Sequence, residues 1–233
     1  MLLTSLTKSF SGNADCMGGS IVLNPLSANY SLLSNKWSSS FRNELFVADA
    51  QILLDNSQEF LERTTKFNTN AKTMVDYIQE KWVGKPESPV VAVRYPPLLS
   101  SRALYDKYLR PSTPELPSPG YGCLFTVDFA SEAHAAAFYD HVGFLPTTHL
   151  AAPVTLHFAY NMLVFGRKAE ERDYVRQFGI REEGVRISAG WKEKPEDLID
   201  TWEDALQAVV EVVKNGESKV ENVAENATSQ VAV

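Results

Sequence analysis

"TSLTKSFSGNADCMGGSIVLNP", Thr4 to Pro25, sets one lysine among hydroxyls and glycines close to the first residue of the chain. Three readings of Lys8 stand open: a phosphate-binding lysine, a covalent cofactor anchor, or a surface cation. A nucleotide phosphate loop needs Gly directly before Lys-Ser in G-x-x-x-x-G-K-[ST], because its backbone N–H groups wrap the phosphates. Here Thr7 precedes Lys8 and the glycines follow it, which disfavours that reading. A purely exposed lysine fits poorly with flanking Leu2, Leu3, Leu6 and Phe10, which suggest a partly buried turn. A covalent anchor needs a desolvated amine and a cradle of hydroxyls and backbone donors for a phosphate. Ser5 and Thr7, three and one residues before the lysine, are placed to supply the hydroxyls.

Outward from this stretch, "GSIVLNP" at 19–25 reads as a buried strand, β-branched and bounded by Gly and Pro. From Ser39 to Trp82 there is neither Pro nor Gly, and apolar residues recur at helical spacing. The tract is expected to bend or break near Asp55 to Ser57 and to stop at Gly84 and Pro86. The period then changes. Segments 89–96, 121–129, 152–163 and 183–190 read as strands or extended chain, and a helix is expected at 131–142 with Ser131 as N-cap. A last helix at 195–214 opens on Pro195 and acidic Glu196 and Asp197. This alternation argues for an α/β unit over about 86–214, followed by a disordered polar tail at 215–233. Residues 1–85 offer one or two strands and much helix, as expected for the end of a larger sheet domain.

The 233 residues, 44% hydrophobic, suffice for a sizeable core. With 22 Lys and Arg against 29 Asp and Glu, the net charge of −7 offers no basic field for nucleic acid or anionic lipid. Cys16 and Cys123 are the only cysteines and have no partner at metal-ligand spacing, so no metal site and no disulfide framework are expected. The longest apolar runs fall far short of the roughly 20 residues of a membrane helix, and a cytoplasmic location is the plain expectation.

The opening stretch resembles the pyridoxal-phosphate attachment segment of the Cys/Met-metabolism enzymes, the cystathionine γ-synthase family, in its fungal-looking form. Ser5, Thr7, Lys8, Gly12, Asp15, Gly18 and Gly19 match its Ser-x-Thr-Lys turn and the glycines and acid after it. "FNTNAKTMVDYIQ" at 67–79 resembles the family's helix into its small domain. "EEGVRISAGWKEKPEDLIDTWEDAL" at 182–206 resembles its closing Arg-x-Ser-x-Gly strand and helix. The likeness covers about 1–213. It implies the fold-type I pyridoxal-phosphate transferase architecture, with the end of the large cofactor-binding domain at 1–85 and a complete small α/β domain at 86–214.

Carried over, Lys8 is the catalytic lysine that holds pyridoxal 5'-phosphate, Ser5 and Thr7 hold its phosphate, and Arg186 binds the substrate α-carboxylate. The implied reaction is γ-replacement on an O-acylhomoserine by cysteine. A γ-lyase of the same family and a non-catalytic remnant acting by association are the alternatives. Departures are Ser9, Asn13 and Ala14 after the lysine, and His149, Leu150 and Ala151 where bacterial relatives carry Ser-Leu-Gly. His149 is either substrate-facing or a structural histidine. The family places further cofactor contacts upstream of the lysine and on a neighbouring subunit of a homo-oligomer. The chain is therefore expected to be a fragment that binds cofactor weakly and turns over little alone.

Overall fold

The computed structural model describes the backbone of residues 1–230 and the side chains of 1–215. The chain opens with strands β1 (Leu2–Ser5) and β2 (Gly19–Val22), joined through a π-helical turn at Leu6–Phe10. They form an antiparallel two-stranded sheet, with Leu2 opposite Val22 and Ser5 opposite Gly19. This corrects the expected buried strand at 19–25: Ile21, Val22, Leu2 and Leu3 are all exposed. The apolar, β-branched run was read rightly as strand and wrongly as core, because apolar content alone does not say what covers a strand.

The expected helical tract comes as three helices: α1 (Tyr30–Ser40), α2 (Val47–Ser57) and α3 (Phe60–Lys81). The chain is extended between α1 and α2, and it breaks again at Gln58 and Glu59, close to the expected bend. α3 buries Arg63, Phe67, Asn70, Ala71, Met74, Val75 and Ile78 along one stripe.

A mixed five-stranded sheet follows, built from β3 (Val90–Arg94), β4 (Leu124–Phe129), β5 (Leu145–Pro146), β6 (Leu156–Phe158) and β7 (Gly184–Ser188), in the order β3-β4-β7-β6-β5. Among the described pairs only β5 and β6 run parallel, so the loop between them must cross over. The strand expected at 152–163 shrinks to Leu156–Phe158, and helices α6 (Tyr160–Phe165) and α7 (Ala169–Arg176) follow it. α4 (Arg102–Asp106) and α5 (Glu132–His141) complete the inserts, and the Ser131 hydroxyl caps α5 by accepting from the His134 N–H.

One face of the large sheet carries Phe125, Val127, Phe129, Val185 and Ile187 against α3, α5 and α8 (Pro195–Gln230). Trp202 of α8 is its centre, stacked on Phe138 at 4.8 Å and edge-on to Phe144 at 5.9 Å. The opposite face is polar: register places Thr126 between Arg94 and Arg186, and Arg186 beside Phe158. α8 runs on to Gln230, into the segment expected to be a disordered tail; residues 231–233 lie outside the described residues.

Candidate active site

β1 ends in the π-helical turn, closed by the Ser11 N–H donating to the Leu6 carbonyl at 3.0 Å, and Lys8 leaves helical geometry inside it at φ −90°, ψ −122°. The turn is pinned from the β2 side. The Leu6 N–H donates to the Gly18 carbonyl at 2.8 Å, and the Gly18 N–H donates to Thr7 Oγ1 at 3.0 Å. Thr7 in turn directs its hydroxyl proton at the Gly18 carbonyl, 3.4 Å away. Its hydroxyl therefore already serves the loop, whereas that of Ser5 is exposed and makes no hydrogen bond among the described residues.

Past the lysine, the loop is bolted to α2, α3 and the chain after β7. Gly12 sits at φ +72°, and a Cβ there would come within 2.1 Å of Arg63 Nε. Arg63, buried in α3, donates from Nη2 to the carbonyls of Phe10 at 2.6 Å and Asn56 at 2.7 Å. Asp15 accepts from the Ser11 hydroxyl at 2.9 Å and from Asn56 Nδ2 at 3.1 Å. Burial acts to raise its carboxyl, and these hydrogen bonds hold it below the ordinary value. Trp191 closes the arrangement by donating from Nε1 to the Gly12 carbonyl at 2.9 Å.

Arg186 stands on the polar face of β7. Its Nη2 donates to the carbonyls of Thr148 at 3.1 Å and His149 at 3.2 Å, and its guanidinium lies over the rings of Phe158 at 5.4 Å and Tyr160 at 5.5 Å. Its Nε is buried without a partner among the described residues. His149 lies on the β5–β6 crossover loop, its Nδ1 at 3.2 Å from Lys8 Nζ and its Nε2 buried without a partner. Burial first, and then the Lys8 charge, push its imidazole below the ordinary range, so the ring is neutral at pH 7. The same loop holds Ala151 at φ +55°, with its N–H donating to the Ser188 hydroxyl at 2.9 Å.

The structure thus brings Lys8, His149 and Arg186 together, through His149's ring on one side and its carbonyl on the other. Ser5 and Thr7 stay on the β1 side, and no hydrogen bond joins either to Arg186 among the described residues. Sequence reasoning missed Arg63, Asn56, Asn70 and Trp191. Arg63 and Asn70 were findable, since each puts a polar residue on an otherwise apolar helical stripe. Asn70 Nδ2 donates to the carbonyls of Gly190 at 2.9 Å and Glu193 at 3.1 Å, tying α3 to the end of β7. A cleft of about 760 Å³, lined by Thr64, Tyr105, Tyr108 and Leu116 among others, contains none of the five candidate residues.

Most of the chain is similar to known proteins. An alanine racemase of Aspergillus violaceofuscus is 32% identical over 214 residues, covering 89% of this chain and 35% of the racemase. A cystathionine gamma-synthase-like enzyme of Amanita muscaria is 34% identical over 220 residues, covering 91% and 34%. The cystathionine gamma-synthase of Neurospora crassa is 30% identical over 211 residues, covering 91% and 31%. No family model matches the chain.

Among solved structures, cystathionine gamma synthase from Xanthomonas oryzae superposes with a TM-score of 0.69 at 22% identity, covering 89% of this chain and 49% of that one. An O-acetylhomoserine (thiol)-lyase from Campylobacter jejuni, holding a pyridoxyl-lysine phosphate, gives 0.65 at 21% identity, covering 89% and 52%. A cystathionine gamma lyase from Micromonospora echinospora gives 0.67 at 23% identity, covering 88% and 50%. The fold is that of the fold-type I pyridoxal-phosphate enzymes. By sequence, the chain is a relative of the cystathionine γ-synthase-like proteins, and it spans about a third of the length of the curated relatives it matches.

Proposed function

We propose that the chain carries the lysine and the carboxylate-binding arginine of a pyridoxal-phosphate enzyme of transsulfuration, acting by γ-replacement on an O-acylhomoserine with cysteine. The observation that carries this reading is the convergence of Lys8 and Arg186 on the two ends of His149.

The residues fit the cofactor. Lys8 is half-buried and has no carboxylate partner among the described residues, so its amine is not spent on an ion pair. The Ser5 hydroxyl is free to accept a place on the phosphate, and Thr7 can join it by turning its proton away from the Gly18 carbonyl. When bound, pyridoxal phosphate supplies an electron sink for bonds broken at the amino acid's α-carbon. Arg186 is fixed by donation from Nη2 to two carbonyls, which leaves its Nε and Nη1 donors for the α-carboxylate. With the carboxylate held there, Lys8 Nζ is the group that takes and returns the α-proton.

A γ-lyase reading is kept because the same lysine and arginine serve elimination as well as replacement, and the structural neighbours include a protein of that name. A role by association alone remains the non-enzymatic alternative.

The test is to titrate the protein with pyridoxal phosphate and to follow the visible absorbance of a lysine-bound cofactor. A band that is lost in Lys8→Ala supports the reading, and binding that is indifferent to Lys8→Ala overturns it. Product analysis with an O-acylhomoserine, with and without cysteine, then separates replacement from elimination.

A further inference from the structure

We infer that His149 is a positioning residue for Lys8: its Nδ1 accepts the hydrogen bond that fixes the amine, and its Nε2–H is left to donate to an oxygen of the bound amino acid. The inference rests on Lys8 being the reacting amine.

The backbone that carries the ring is held by hydrogen bonds. The His149 N–H donates to Thr147 Oγ1 at 3.4 Å, its carbonyl accepts from Arg186, and two residues on the Ala151 N–H is held by Ser188. A neutral imidazole has one acceptor and one donor nitrogen, and an ammonium only donates. With Lys8 Nζ at 3.2 Å, Nδ1 must be the acceptor, and the proton resides on Nε2. Nε2 is buried without a partner, as is Arg186 Nε at the far side of the same residue. Two desolvated N–H donors and one held ammonium, with no acceptor for either donor among the described residues, make a site that an anionic ligand completes. A carboxylate-bearing amino acid is the chemical class that uses both donors.

The pairing also responds to pH. Protonation at Nδ1 removes the acceptor and sets imidazolium against ammonium, which releases Lys8. The charged groups tied to this loop are Lys8, from the turn after β1, and Arg186, from β7. Arg186 meets the loop's carbonyls and not the ring, so Lys8 is the charge that the imidazole senses directly; burial acts alongside it.

The experiment is a titration of the histidine side chains by ¹⁵N–¹H NMR on the chain as it stands, with the His149 signal assigned by its absence in H149N. The wild-type ring is expected as the Nε2–H tautomer. In K8Q its midpoint should rise by roughly half to one pH unit, the size expected for losing a neighbouring unit charge near the surface. K8R, which keeps the charge, should leave the midpoint low. An unchanged midpoint in a K8Q variant whose other signals are native, or an Nδ1–H tautomer in the wild type, overturns the inference. No cofactor enters this measurement, so its failure is distinct from failure of the Lys8-dependent absorbance.

Discussion

The indole Nε1 of Trp191 donates to the carbonyl of Gly12, joining the loop after Lys8 to the residue three positions past the end of β7. This bond reaches from one sheet of the protein to the other. Trp191→Phe keeps most of the ring and removes the donor. Stability should fall by about 1 kcal/mol, the usual net worth of one such bond, and amide exchange should quicken at Ser11 to Asn13. A urea midpoint and exchange rates matching wild type would show that the bond holds nothing.

Gly12 faces Arg63 so closely that any side chain displaces it. Gly12→Ala combines an unfavourable φ of +72° with a Cβ 2.1 Å from Arg63 Nε. It should cost well over the ~1 kcal/mol of the backbone effect alone. Gly19→Ala is the control, since its Cβ would meet nothing nearer than the Thr4 carbonyl at 3.6 Å. Thermal melts of the two variants should differ widely, and similar melting points would refute the close contact.

Arg186→Lys tests the fork. A lysine cannot hold the Thr148 and His149 carbonyls and still present a second N–H edge to a carboxylate. Binding of an amino acid to the cofactor-loaded protein should weaken at least tenfold, about 1.4 kcal/mol, by calorimetry. A primary amine without the carboxylate should bind both proteins alike; equal losses for the two ligands would remove the assigned role.

His157 sets a pH dependence of stability. It is 2% exposed and edge-on to Tyr139, with the Tyr139 and Phe144 backbone acting to raise its pKa and burial, the larger effect, acting to lower it. Burial pushes its pKa down in the folded state. The unfolded chain therefore takes up a proton near pH 6.5 that the folded chain refuses, so this contribution is intact above about 6.5 and drains away as pH falls toward the lower folded value. Urea midpoints should drop from pH 7.5 to 5.5, and less steeply in His157→Phe. An equal drop in both would place the dependence elsewhere. His149 acts with the same sign in both proteins, so the comparison isolates His157.

Part of the candidate site was legible because local chemistry and order along the chain coincide. Lys8 stood out by residue type and spacing, with hydroxyls before it, whereas Arg186 came from the likeness of its strand to a known family. The Ser131 cap and the start of the last helix at Pro195 followed likewise from caps and prolines. What failed depended on neighbours distant in sequence. Ile21 and Val22 look like core until one asks what lies over them. The short parallel pair of Leu145 with Leu156 has too few residues to show a period. Trp191, directly after "VRISAG", has a polar use whose partner lies at the other end of the chain, and nothing local to it signals that.

Ala151 holds a left-handed backbone bend while buried at 2% exposure, two residues after the histidine that touches both Lys8 and Arg186. The spacing between the amine and the guanidinium thus runs through one residue, His149, whose ring meets Lys8 and whose carbonyl meets Arg186. A change in the bend moves that residue and, with it, both contacts. The two groups share a single ruler, and a substitution at Ala151 is the way to recalibrate it.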